Sequence, residues 1–160
     1  MKPALPLIAV MAAGLVSACG FTPVYGDQGV GANLSRIAVT TQDDRLGYRL
    51  REQLEDTLGW NGNAAPAWRL ETLVKQERRP LGRRVDDTAS RYELTVIADW
   101  TLTPIGGGEP VKGTQRAVVT YASADQPYAA IAAQQDGEER AAEDLSRLIR
   151  QDLMRVLATR

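Results

Sequence analysis

The chain has 160 residues, with 19 Lys and Arg against 20 Asp and Glu, a formal net charge of −1, one cysteine and no histidine. Without histidine, Ser-His-Asp and Cys-His nucleophile systems and histidine-ligated metal sites are excluded within this chain, and its one cysteine can form no internal disulfide. The balanced charge gives no general attraction to nucleic acid, so any anion site has to be a local patch.

The first segment carries Lys2, an apolar run from Ala4 to Val16 interrupted by Pro6 and Gly14, and then small residues up to Cys19. That is the layout of a secretory signal. At ~1.5 Å per residue the run reaches only ~20 Å as a helix, short of the ~30 Å hydrocarbon core that a membrane span must cross. Val16-Ser17-Ala18-Cys19 resembles the bacterial lipoprotein box. The resemblance implies that residues 1–18 are a lipoprotein signal peptide and that Cys19 becomes the first mature residue, carrying acyl chains such as palmitate. Each buried methylene contributes about 0.8 kcal/mol and a single acyl chain attaches only reversibly, so two or three chains are what make such an anchor durable. Gly20 stands where inner-membrane lipoproteins of enterobacteria carry aspartate, which implies delivery to the outer membrane.

Residues 19–33 are rich in glycine and turn formers and show neither helical nor alternating periodicity, so they read as a lipidated tether. Fully extended, Cys19 to Leu34 spans at most ~50 Å. The remainder, 34–160, has the size of one domain. In it, Ile37 and Val39 alternate with polar neighbours and predict a first strand ending at Thr40-Thr41. Asp43 or Asp44 then caps a helix whose Leu46, Leu50, Leu54 and Leu58 form one stripe, with Arg45, Arg49, Arg51, Glu52, Glu55 and Asp56 on the other faces. Gly59 ends it, and the loop Trp60-Asn61-Gly62-Asn63 follows. A single short leucine run suits packing on a sheet better than a zipper.

Three strands come next. Trp68 to Gln76 turns Trp68, Leu70, Thr72 and Val74 inward, and Arg91 to Thr103 turns Tyr92, Leu94, Val96, Ala98, Trp100 and Leu102 inward. The opposite side of the latter is Arg91, Glu93, Thr95, Ile97, Asp99, Thr101 and Thr103, polar except for Ile97, as in an antiparallel sheet with one covered and one open face. After the turn from Pro104 to Gly108, Thr114 to Ala122 forms the last strand, with Ala117, Val119 and Tyr121 on one side. From Pro127 a long amphipathic helix carries Ala141, Ala142, Leu145, Leu148, Ile149, Leu153, Val156 and Leu157 on its apolar side, and Glu143 and Arg147 are spaced to pair. Gly137 leaves open whether this helix is continuous. The expected fold is α+β in the order β-α-β-β-β-α, a four-stranded, mainly antiparallel sheet with two helices packed on one face.

Paired carboxylates would still permit acid–base chemistry, but the acidic residues fall at helical or strand-edge spacing among arginines, the arrangement of a solvated surface. The clearest local cation cluster is Arg78, Arg79, Arg83 and Arg84 around Pro80-Leu81-Gly82, expected at the hairpin between the second and third strands. Two readings fit it: guanidinium groups gripping phosphate bidentately, or charged residues that keep strand ends from aggregating. Lys112 and Arg116 on the last strand are further candidates. Trp68 and Trp100 lie in the inward pattern and read as core, whereas Trp60 sits in a loop with its role open.

The opening Cys-Gly-Phe-Thr-Pro-Val-Tyr-Gly at 19–26, the element order, and the tail from Pro127 (P-Y-A-A-I-A-A-Q-Q-D-G-E-E-R-A-A-E-D-L) together resemble the LptE family of lipopolysaccharide-assembly lipoproteins, particularly those of alphaproteobacterial type. The resemblance covers essentially the whole chain, with Cys19 as its one sharp residue match. It implies a non-enzymatic outer-membrane lipoprotein, lipid-anchored on the periplasmic side, that plugs and helps assemble an LptD-type β-barrel and assists lipopolysaccharide insertion into the outer leaflet. It implies no cofactor beyond the covalent lipid on Cys19, no metal and no nucleic acid. On this reading the arginine cluster, with Lys112 and Arg116, faces lipopolysaccharide or the barrel wall. The alternative is an accessory lipoprotein of another envelope lipid-transport or secretion complex.

Overall fold

The leucine stripe is what ties the first helix to the sheet. In the computed structural model, which describes residues 30–60, 62–83 and 89–159, Leu46, Leu50, Leu54 and Leu58 are all buried on one side of a helix from Arg45 to Leu58. Burial of each contributes about 1.5–3 kcal/mol. Asp44 is the N-cap, its Oδ1 accepting from the Gly47 N–H at 2.6 Å. Gly59 closes the other end in the left-handed region (φ 71°), its N–H donating to the Asp56 carbonyl while the Trp60 N–H reaches back to Glu55. Arg49 pairs with Glu52 and Arg51 with Glu55 on the exposed side.

In chain order the elements are α1 (Val30–Leu34), β1 (Ile37–Thr41), α2 (Arg45–Leu58), β2 (Trp68–Arg83), β3 (Ala89–Pro104), β4 (Val111–Ala122) and α3 (Pro127–Ala158). The sheet order is β1-β2-β3-β4. β2, β3 and β4 are antiparallel neighbours joined as hairpins, whereas β1 runs parallel to β2 because the chain returns through α2, the crossover a parallel pair requires. The β-α-β-β-β-α order is thus as the sequence predicts, preceded by the single turn α1. That turn falls on residues that read from sequence as the end of the tether; Leu34, its last residue, is buried.

The covered side of the sheet is the inward set: Ile37 and Val39, Leu70 and Val74, Leu94 to Leu102 in alternation, and Ala117, Val119 and Tyr121. α2 and α3 lie over it, α3 contributing Ala141, Ala142, Leu145, Ile149, Leu153 and Leu157. Trp100 is in this core, and its ring occupies the place of the missing side chain at Gly113: a Cβ there would stand 2.4 Å from the indole. Trp68 packs against the core from the edge, and Trp60 is half-buried in its loop.

Two expectations change in detail. β2 continues seven residues beyond the predicted end at Gln76, through Arg83, paired with β3 to Arg83↔Ala89. Pro80 and Gly82 are therefore strand residues, opposite or beside Tyr92 and Arg91, and not the turn. The last helix is continuous through Gly137, which is buried because Tyr121 lies against it: a Cβ at 137 would stand 2.9 Å from the Tyr121 ring. The glycine serves close packing. The Glu143 and Arg147 pair forms as expected, at 3.0 Å.

Candidate functional site

Alternation along three long strands sends every second side chain to the side of the sheet that no described helix covers. β2 contributes Arg69, Glu71, Leu73, Lys75, Glu77 and Arg79 to it. Register places Lys75, Ile97 and Arg116 in one row, Glu77, Thr95 and Val118 in the next, and Arg79, Glu93 and Thr120 in a third. Arg79 pairs with Glu93 at 3.0 Å and Lys75 with Asp99 at 3.5 Å, while the Thr114 hydroxyl donates to Asp99 at 2.7 Å and Arg116 donates to Thr95 Oγ1 at 3.4 Å. Exposed ion pairs of this kind contribute about 0–1 kcal/mol each, so a partner's charges can replace them at little cost. Leu73 and Val118, 63% and 45% exposed, add apolar patches to the polar surface. A 180 Å³ hollow lies among Glu77, Arg79, Glu93, Thr95 and Arg116.

Two members of the predicted arginine cluster, Arg78 and Arg79, do not share a face. Arg78 and Arg79 are neighbours within a strand, so their side chains leave opposite faces. Arg79 joins Arg116 on the open face, with Lys112 exposed further along β4 opposite Thr101. Arg78 lies on the helix side. Its guanidinium sits 4.8 Å above the Tyr92 ring, and Nη1 donates to Gln134 Oε1 of α3 at 3.2 Å. The neighbouring Tyr121 hydroxyl, and more weakly Tyr92, raise the Arg78 pKa above the ordinary arginine value, so the group stays cationic at any working pH. Tyr92 and Tyr121 stack at 5.6 Å between centroids, tilted by 31°. Arg83 ends β2, but its side chain, together with Arg84 and Cys19, lies outside the described residues.

What sequence reasoning missed is the Arg78, Tyr92, Tyr121 and Gln134 assembly. The signal was present, since Arg78 continues the even-numbered inward series Leu70, Thr72 and Val74. Pro80 and Gly82 obscured it by suggesting a turn. Above this group, Arg45 at the start of α2 pairs at 3.1 Å with Glu138, whose carboxylate is buried and also accepts from Gln134 Nε2 at 2.9 Å. Among the described residues no group of three or more acidic or sulfur ligands is arranged to hold a metal, and no described helix is long and apolar enough to cross a membrane.

The model of the lipopolysaccharide-assembly family, LptE, matches residues 34–153. A crystal structure from Caulobacter crescentus CB15, described as a lipoprotein, is 46% identical, with 81% of this chain and 96% of that one covered and a TM-score of 0.70. Rare lipoprotein B from Shewanella oneidensis is 17% identical over 77% of this chain and 93% of its own, with a TM-score of 0.46. Lipoprotein B from Nitrosomonas europaea is 16% identical over 78% and 83%, also at 0.46. No curated protein matches the chain.

Proposed function

We propose, because this chain belongs to the LptE family of lipopolysaccharide-assembly proteins, that it is an outer-membrane lipoprotein anchored through Cys19, whose domain sits inside an LptD-type β-barrel, helps that barrel assemble, and assists lipopolysaccharide insertion into the outer leaflet. Its work is assembly, and no bond is made or broken. The lipoprotein description of the Caulobacter relative supports the anchor.

The observation that carries the barrel reading is the open sheet face. Among the described residues its charges of both signs form exposed pairs, Lys75 with Asp99 and Arg79 with Glu93, interspersed with Leu73, Ile97 and Val118. A surface of this kind suits a largely polar enclosure, where cations and carboxylates can re-pair with a partner wall. Arg79, Arg116 and Lys112 are the contacts to the barrel wall or to lipopolysaccharide phosphates on that face. Arg78, on the helix side of β2, and Arg83 and Arg84 are the remaining candidates.

Two multiple variants test this. Replacing Arg79, Lys112 and Arg116 by Ser together is expected to reduce recovery of the barrel with the protein. Replacing Arg78, Arg79, Arg83 and Arg84 by Ser is expected to weaken lipopolysaccharide binding or complex formation. Unchanged barrel recovery in the first and unchanged behaviour of both kinds in the second would overturn the assignment of these residues. Stable association with an inner-membrane transporter instead of a barrel would favour the accessory-lipoprotein alternative.

A further inference from the structure

Among the described residues β2 has a strand neighbour on its outer side for only part of its length. β1 pairs with it from Trp68 to Thr72. The Gln42 side-chain amide then stands in for the next strand residue, Oε1 accepting from the Val74 N–H at 2.7 Å and Nε2 donating to the Val74 carbonyl at 3.0 Å. Beyond this point no described strand lies beside β2 on that side. Alternation turns the N–H and C=O groups of Gln76 and Arg78 the same way as those of Val74, and both residues are exposed. Pro80, which has no N–H, ends the open stretch. An unpaired edge of this kind is a template for another strand.

A 260 Å³ hollow lies at the same edge, lined by Gln76, Arg78, Leu94, Tyr121 and Gln134. Tyr121 is 6% exposed, and its hydroxyl is buried without a hydrogen bond of standard geometry among the described residues. Gln134 already accepts from Arg78 and donates to Glu138, and Glu138 is paired with Arg45. What the hollow offers an incoming group is therefore a hydroxyl donor, guanidinium donors and one positive charge over an apolar floor. That chemistry selects a carboxylate.

We propose that this edge is a strand-addition site for an acidic segment of a partner protein. The segment lies extended beside Gln76 and Arg78, pairs with their backbone groups, and sends an Asp or Glu side chain into the hollow, where the Tyr121 hydroxyl donates to it and Arg78 neutralises it. Backbone pairing supplies attachment and the carboxylate supplies selectivity. The proposal needs an extended acidic segment and no barrel; it shares only Arg78 with the preceding reading, and the peptide measurements below are read without a barrel or lipopolysaccharide present.

The test is residue-resolved amide hydrogen exchange on the lipid-anchored protein in detergent micelles. The probes are two blocked hexapeptides at millimolar concentration, alternating Val-Glu and alternating Val-Gln. The Val-Glu peptide is expected to slow exchange at Gln76 and Arg78 and to bind about tenfold more tightly than the Val-Gln peptide, a difference of about 1.4 kcal/mol. Gln76→Pro removes an edge donor and should abolish the protection at Arg78. Arg78→Gln, which keeps a polar side chain at this exposed position, should erase the difference between the two peptides while leaving the protection by the Val-Glu peptide measurable. The proposal is overturned if the Val-Glu peptide protects neither amide, or protects β4 amides instead. Protection already present in the free protein would mean that another stretch of this chain fills the edge, and protection that grows with protein concentration alone would mean that a second copy does; either overturns it.

Discussion

Gly137→Ala should destabilise this protein, against the usual direction of that substitution in a helix. In a helix interior, Ala is favoured over Gly by about 1 kcal/mol. Here the new Cβ would stand 2.9 Å from Tyr121 Cδ1, with Cε1 and Cγ at 3.5 and 3.6 Å, so it meets the flank of a ring and not a flexible tip. The ring has little room to yield: Tyr121 is on β4, buried, stacked on Tyr92, and beneath α3. Overpacking of a tight core contact costs about 1–3 kcal/mol, which leaves a net loss of about 1 kcal/mol once the propensity gain is subtracted. With a urea m-value of about 2 kcal/mol/M, the denaturation midpoint should fall by about 0.5 M. The clash has one partner, so the sign should invert when that partner is trimmed. In a Tyr121→Ala background, Gly137→Ala should raise stability by about 1 kcal/mol, giving a coupling of about 2 kcal/mol between the two positions. Equilibrium urea unfolding followed by circular dichroism of the four proteins decides it. A stabilising Gly137→Ala in the natural background, or additive effects in the double variant, would refute the close-packing explanation for an uninterrupted α3.

Gln42→Leu removes both bonds to Val74 and should lower stability by about 1–2 kcal/mol, with faster exchange of the Val74 amide as the specific readout; unchanged Val74 exchange would contradict the role given to that amide. Asp44→Ala removes the N-cap of α2 and should lower stability by about 1 kcal/mol, with Asp44→Asn largely retaining it, as thermal unfolding of the pair would show. The raised Arg78 pKa sets a pH expectation as well. A base whose folded pKa exceeds its unfolded value contributes its full stabilisation below the unfolded value and loses it only as pH rises through the folded one, far into alkali. The Tyr92 ring shifts should therefore be flat across the neutral range and should move on Arg78→Gln; unchanged Tyr92 shifts in that variant would contradict the contact.

α2, α3 and β3 were legible because each carries a period long enough to stand out. The leucines at intervals of four from Leu46 to Leu58 had to share a face, and six alternating residues from Tyr92 to Leu102 had to point inward, whatever surrounded them. The far half of β2 was not legible. Lys75 to Arg83 has seven polar or glycine positions interrupted by a proline, and it is a strand because β3 pairs with it, a tertiary cause that local composition does not display. The same cause split the candidate site. Read as a turn, Arg78 and Arg79 looked like one cluster; placed in a strand, they fall on opposite faces, one over Tyr92 and one against Glu93. Gln42 posed a different problem, because nothing in its neighbourhood reveals that its side chain will continue a strand ladder 32 residues away in sequence.

We propose above that this domain works inside a β-barrel. The most direct test is gentle detergent extraction of the tagged native protein from outer membranes, followed by mass spectrometry of what remains bound. A large, heat-modifiable β-barrel in one-to-one stoichiometry is the predicted result. Recovery of the protein alone, or with an inner-membrane transporter in place of a barrel, would contradict it.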